Sequence, residues 1–218
     1  MDWTALLLSV KLAFIATTVL MLLTAPLACL LAYGRLPGKA FLEAFINLPL
    51  AMPPTVVGFY LLILMGPEGW FGRLWTSLTG SPLLFTFAGI VIASIIYSLP
   101  FALQPMRAAF EKIDTRLIDS ARVLGLSPVA VFIRVILPNS LNGIAASAIL
   151  VFLHTLGAFG VILMVGGSIP GRTRVASVAI YEAVETLQYG NAAMMSLALL
   201  PVCYVFLLVV HHLTRRPS

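Results

Sequence analysis

An all-α, polytopic membrane helical bundle is the fold class that this sequence predicts, and three observations carry it. Of 218 residues, 61% are hydrophobic and only 10% charged, with a mean hydropathy of +1.05; so little polar surface cannot cover a water-soluble domain. The apolar residues gather into five runs, each near the roughly 20 residues that a helix needs to cross the hydrocarbon. Backbone at that depth must bond to itself, so the runs are helices. The charges, net +5, fall between the runs with the one exception of Lys11, as membrane topology requires. The chain 1–218 therefore reads as a single transmembrane domain with spans at 6–33, 45–65, 83–101, 144–165 and 194–210.

The first run, 6–33, is interrupted only by Lys11, whose long stem can snorkel to the interface where Trp3 also sits. Its N-terminus does not read as a cleavable signal, because Asp2 stands where basic residues belong and Arg35 and Lys39 follow the run. Those two cations place the first turn in the cytoplasm and the N-terminus outside. The second run carries Asn47, Pro49, Pro53, Pro54 and Gly58, so it is kinked or partly unwound. Irregular backbone at membrane depth either lines a cavity or is buried in protein; Pro53 and Pro54 are thus candidates for a pathway lining, the alternative being a proline-kinked packing helix. Residues 66–82, with Trp70 and Trp75, form an outer stretch with aromatics at the interface. The third run ends near Pro100. The fourth, rich in Gly and Ala, packs centrally, and its polar Ser147, His154 and Thr155, with Gly157, are further pathway candidates. For His154 a bond to a neighbouring helix and a ligand role both stand. Residues 175–187 are helix-like but carry Glu182 and Glu185, which suits an interfacial or re-entrant helix and not a sixth crossing. The last run leads to His211, His212, Arg215 and Arg216, which places the C-terminus inside. Cys29 and Cys203 lie in apolar runs and read as inert thiols.

The segment 107–138 is the most basic part of the chain, with Arg107, Lys112, Arg116, Arg122 and Arg134. Asp114 suits an N-cap, and Leu117, Ala121 and Leu124 then recur along one helical face. Gly125 closes that helix in the left-handed conformation. Ser127 and Pro128 open a second one, expected to run over 129–137 and to end at Pro138.

The run Asp119-Ser120-Ala121, three residues, Gly125, then Val135, Leu137 and Pro138 resembles the cytoplasmic EAA loop of ABC importer permeases. It departs from that motif in Asp119 for Glu, Ser120 for Ala and Val135 for Ile. The stretch 48–66, LPLAMPPTVVGFYLLILMG, resembles the second-span signature of molybdate permeases. Residues 156–160, LGAFG, resemble a stretch that has Glu in that family at the place of Ala158. The resemblance implies a type I importer permease fold in a bacterial inner membrane. It also implies a homodimer that passes molybdate or tungstate, with sulfate the alternative, two ABC ATPase subunits on the cytoplasmic side, and an extracytoplasmic oxyanion-binding protein. Coupling to the ATPase would run through Leu117, Asp119, Ala121, Arg122, Leu124, Gly125, Leu126, Leu137 and Pro138. Leu117, Ala121, Leu124 and Leu126 are the expected anchors, with the charged residues at the rim.

Enzyme signatures are missing: there is no P-loop, no HExxH, and no Ser, Cys or His grouping suited to nucleophilic or metal chemistry. No catalytic residue, cofactor or metal is expected on this chain; ATP and Mg²⁺ belong to the partner ATPase. No internal repeat or intramembrane carboxylate supports a secondary transporter. Basic charge confined to short loops between spans argues for lipid contact and against nucleic acid. The remaining alternative is a membrane scaffold that recruits a soluble partner. Arg172 and Arg174, in an outer loop, would either attract an anion or contact the binding protein.

Overall fold

The structure is a computed structural model that describes residues 2–34 and 36–214. Arg35, Arg215 and Arg216, which the charge-based topology uses, lie outside the described residues. Those described are helical or in turns and bends, with no strand among them.

Helix α1, Trp3–Tyr33, opens on Asp2, whose carboxylate accepts from the Ala5 amide at 3.0 Å. At 1.5 Å per residue its 31 residues extend about 46 Å. The expected second span is two helices, α2 (Lys39–Ala51) and α3 (Pro54–Met65), bent 114° apart. Prolines at 53 and 54 remove two successive donors, and Met52, preceding a proline, is extended. Each half is too short to cross alone: α3, with 12 residues, is about 18 Å long. Helix α4, Trp70–Thr79, occupies the stretch expected to be an outer connection and packs on α3.

Helix α5, Phe87–Glu111, does not stop near Pro100 as expected but passes through Pro100 and Pro105. A proline removes one bond, and a helix held on several sides tolerates it; α5 is packed against α1 and against the helical residues 141–157 and 160–166, and half of its apolar window is buried. Thus 107–111 of the expected loop belong to α5. Helix α6, Thr115–Val123, and helix α7, Pro128–Asn139, follow. Helix α7 is bent 77° from α8, Leu141–Gly157. A break at Ala158-Phe159 separates α8 from the short α9, Gly160–Gly166, so the expected fourth span is also discontinuous. Helix α10, Ala176–Glu185, is a short amphipathic piece against α1 and α11, and α11 runs over Tyr189–Thr214.

Helices α1, α5 and α8 pack on one another as the centre of the bundle. Helix α3 lies on α9 and α5 through Val57, Leu61, Val161 and Val165. Gly58 permits that approach, since a Cβ there would come 2.9 Å from the Met164 Cβ. Among the described residues three helices, α1, α5 and α11, are long and apolar enough to cross a membrane, or up to five crossings if each bent pair counts as one.

Candidate functional site

Two features are built around the central helices: an exposed helix face at one end of the bundle and a cleft at its middle. The helix face belongs to α6. Asp114 Oδ1 accepts from the Arg116 amide at 2.9 Å and opens the helix, as its position predicts. At the other end Leu126 N–H donates to Ala121 O (3.1 Å) and Gly125 N–H to Arg122 O (2.9 Å). This pair of bonds is the Schellman closure. Gly125 sits at φ +83°, a conformation that strains any side chain with a Cβ although the surrounding space is open.

Burial divides the expected anchors. Ile118 and Ala121, 3% and 7% exposed, face inward onto Ala28, Leu31, Met106 and Phe110, and Leu126 packs on the same cluster. Leu117, Val123 and Leu124 point outward, Leu124 being 79% exposed. Ala121 therefore anchors the segment to its own bundle, and Leu126, partly buried, packs on the same side. Ile118 shifts the inward face around the helix, which leaves the flanks of the Leu117, Ala121 and Leu124 stripe outside. The exposed groove is formed by Arg116, Asp119, Ser120, Val123 and Leu124. Arg122 and Asp119 form an exposed pair at 3.6 Å, of the kind that stabilises little.

Ser127 Oγ accepts from Ala130 N at 3.3 Å and starts α7. The expected end at Pro138 is not observed. A π-helical turn over Phe132–Ile136, in which Leu137 N–H donates to Phe132 O, carries the helix to Asn139. The wider turn fits a proline, which cannot donate to the carbonyl four residues back and crowds it. Leu137 packs on the cluster that holds α6, and Pro138 is exposed. Side chains from 115–137 thus share one buried cluster with α1 and α5.

The second feature is a cleft of about 420 Å³ where both helix breaks meet. Pro54 and Thr55 at the start of α3, Tyr97 of α5, His154 and Gly157 of α8, and Gly160 contribute to its lining. Gly160 is needed there, because a Cβ would lie 3.3 Å from both Pro54 Cβ and Thr55 Cγ2. His154 Nδ1 is 2.9 Å from Ser98 Oγ on α5, which in turn is 3.2 Å from Thr155 Oγ1. The imidazole stacks on Phe101, with ring centroids 3.9 Å apart, and tilts against Tyr97. Pro54, His154 and Gly157 therefore converge on the cleft, and Pro53 caps α3 beside it. Thr155 is buried behind it, and Ser147 is fully buried with no partner for its hydroxyl. Tyr97, Ser98 and Thr55 do not stand out in the sequence; their one signal is a hydroxyl in an apolar run. Among the described residues no Lys, Arg, Asp or Glu lines the cleft. The Ala158 carbonyl accepts from Ser177 Oγ at 2.6 Å.

At the opposite end of α1, Arg174 is held by the Asp2 carboxylate and lies 3.6 Å from Glu182. It fastens the loop before α10 to the chain's first helix, so Arg172, which is exposed, is the better placed of the two arginines to meet a soluble ion. Burial by itself raises the Asp2 pKa; the Ala5 amide and Arg174 outweigh it and hold the carboxyl below its ordinary value. No cluster of three or more His, Cys, Asp or Glu able to hold a metal occurs among the described residues.

Residues 24–218 match the family described as the binding-protein-dependent transport system inner membrane component. The chain is 44% identical over 191 residues to the molybdenum transport system permease protein of Azotobacter vinelandii, covering 88% of this chain and 84% of that one. It is 36% identical over 185 residues to the corresponding protein of Escherichia coli K12, with 85% and 81% covered. A probable sulfate transport system permease protein of Chlorella vulgaris is 32% identical over 207 residues, 95% of this chain and 77% of that one. In three dimensions the chain resembles a bacterial ABC transporter that imports the polysaccharide alginate, with a TM-score of 0.71 at 18% identity over 96% of this chain and 76% of the other. The exposed segment α6, the discontinuous helices and the family match agree: this chain belongs to the binding-protein-dependent transport permeases, multi-pass components of the bacterial inner membrane.

Proposed function

We propose that this chain is the permease subunit of an ATP-driven importer of molybdate or tungstate, acting as a homodimer with two ATPase subunits and an extracytoplasmic oxyanion-binding protein. The observation that carries the reading is the division of α6 into a buried and an exposed face. Ile118 and Ala121 on its inner face join a buried cluster that includes residues of α1 and α5, while Leu117, Val123 and Leu124 lie exposed with charges around them. An amphipathic helix laid in a groove is a recognised docking mode, and a docked helix fixed to the bundle transmits displacement to it. ATP binding draws the two ATPases together, and with them two copies of α6; the bundles rotate and the cleft between α3, α5 and α8 exchanges one side of the membrane for the other. The chain itself performs no hydrolysis.

The cleft suits passage of an anion. It carries no carboxylate to repel a dianion, and Thr55, Tyr97 and His154 supply polar groups. Without a lysine or arginine it holds the ion weakly, as release requires. Five crossings, with the N-terminus outside and the C-terminus in the cytoplasm, place α6 beside the ATPases and α10 on the outer face. Discrimination between molybdate and tungstate rests with the binding protein, because the two ions share charge, shape and nearly size. A second reading, sulfate, is favoured by the likeness to the algal sulfate permease.

Uptake of labelled molybdate into proteoliposomes holding the permease, its ATPase and its binding protein tests the proposal, with tungstate and sulfate as competitors. ATP-dependent uptake blocked by tungstate but not sulfate is expected. Blocking by sulfate turns the assignment to the second reading, and absence of uptake from a complex that still hydrolyses ATP removes molybdate.

A further inference from the structure

A second cleft, of about 590 Å³, opens at the α6 end of the bundle, between the last turns of α5 and the junction of α7 with α8. It exists because α8 starts afresh after the 77° bend, so its first amides have no carbonyl one turn earlier to bind. Ser140 holds the N-cap position, where a serine hydroxyl ordinarily accepts from an amide two or three residues on. Here its backbone sits at φ −117°, ψ 8°, and no side-chain bond caps the helix. Ser140 lines the cleft, is 3% exposed, and its buried hydroxyl has no partner. Such a group is costly to leave unbonded.

The surroundings select the sign of what would satisfy it. Among the described residues of the lining, Lys112 is the one ionisable group and none is a carboxylate. Asn142 adds a side-chain amide at the rim. Gly143 allows α8 to close against Ala109, where a Cβ would collide, and this contact seals one edge. An uncapped start of a 17-residue helix carries partial positive charge. The start of α8, the lysine and the idle hydroxyl favour the same ligand chemistry.

We propose that this cleft binds a tetrahedral oxyanion group, with the Ser140 hydroxyl and the first α8 amides donating to its oxygens and Lys112 supplying the charge. A phospholipid phosphate at the membrane surface and a free oxyanion present this same chemistry. The inference rests on the cleft and not on the transport reading, and its test reads binding and not uptake.

Native mass spectrometry of the purified full chain, with phosphatidylglycerol or phosphatidylcholine added, tests the lipid source. Equilibrium dialysis against inorganic phosphate and molybdate tests the free ion. One anionic species per chain is expected, weakened about ten-fold in both Ser140→Ala and Lys112→Gln, as loss of a charge-assisted bond implies. Loss of phosphatidylglycerol in both variants identifies a lipid headgroup; inorganic anion bound by the parent chain and lost in both identifies a free ion. Equal binding by the parent and both variants overturns the proposal, as does indifference between the two lipids with no inorganic anion bound. Ser140→Ala removes an unbonded hydroxyl and Lys112 is exposed, so both variants should fold, and melting curves check this. Failure of molybdate uptake leaves these outcomes standing.

Discussion

Asp2 and His154 show how single residues hold this bundle at its outer end and its middle. The Asp2 pKa is depressed in the folded chain, so its ion pair with Arg174 stabilises fully above the ordinary carboxylate value, about 4. That contribution is lost as pH falls through the depressed value. Near neutral pH it should be flat, and Arg174→Gln at pH 7 should cost about 1 kcal/mol, the upper range for a part-exposed pair. Unfolding in detergent from pH 7 to pH 3 should show the difference between parent and variant shrinking at the acid end; a constant difference would reject the pair as its source. At His154 the imidazole both stacks on Phe101 and bonds to Ser98. His154→Phe keeps the stacked ring and leaves Ser98 its contact with Thr155, so it should lose about 1 kcal/mol, whereas His154→Ala opens a cavity and should lose about 3 kcal/mol. Comparable loss in both variants would mean that the hydrogen bond, and not packing, holds α5 to α8. The bond to a neighbouring helix was one of two readings open in the sequence; the aromatic sandwich was not visible there, because Tyr97 and Phe101 lie more than fifty positions away along the chain.

Element by element, what was legible is what local chemistry decides. Asp114, Gly125 and Ser127-Pro128 each act on backbone groups within a turn of themselves, and each stands at the helix end where its chemistry put it. The two prolines at 53 and 54 announced an irregular second run but not its 114° angle, which depends on what α3 packs against. Pro100 looked like a stop and is not one, since neighbours hold the helix through it and through Pro105. The break at Ala158-Phe159 has no proline, and its flanking glycines did not distinguish it from a small-residue packing face. In α6 the spacing of Leu117, Ala121 and Leu124 showed an amphipathic helix but not which flank faces the bundle, because that is fixed by Ile118 joining the buried cluster that holds Ala28 and Phe110. Opposite consequences follow for the two flanks. Leu124→Glu places a charge on a residue 79% exposed and should leave folding unchanged while abolishing co-purification with the ATPase. Ala121→Glu buries a charge and should destabilise the segment by about 3 kcal/mol or more. Gly125→Val must take a β-branched residue to φ +83°; it should displace α6, so that ATP hydrolysis continues without uptake while the dimer still assembles. Normal uptake by that variant would remove the coupling role from the bend.

For the whole molecule, the placement of charge and the number of crossings must agree. Lys39, Arg107, Lys112, Arg116, Arg122 and Arg134 lie in or next to the segments at the α6 end, and Glu43 and Glu111 bind Arg107 there at 2.7 Å each, tying α2 to α5. Asp2, Arg174, Glu182 and Glu185 gather at the opposite end. By the positive-inside rule, the excess of cations at the α6 end predicts that this end is cytoplasmic. Helix α5 then runs from the outer side, after α4, to the inner side, before α6. Ser81 and Ser120, both exposed, lie on either side of that one crossing. In a chain whose Cys29 and Cys203 are replaced by Ala, Ser81→Cys should react with an impermeant maleimide in intact cells, and Ser120→Cys only after the membrane is opened. Reversal of the two would place α6 outside, away from any source of ATP, and end the coupling scheme. Reaction of both from one side would show that α5 does not cross, and its burial between α1 and α8 would then describe a packed helix lying within one leaflet.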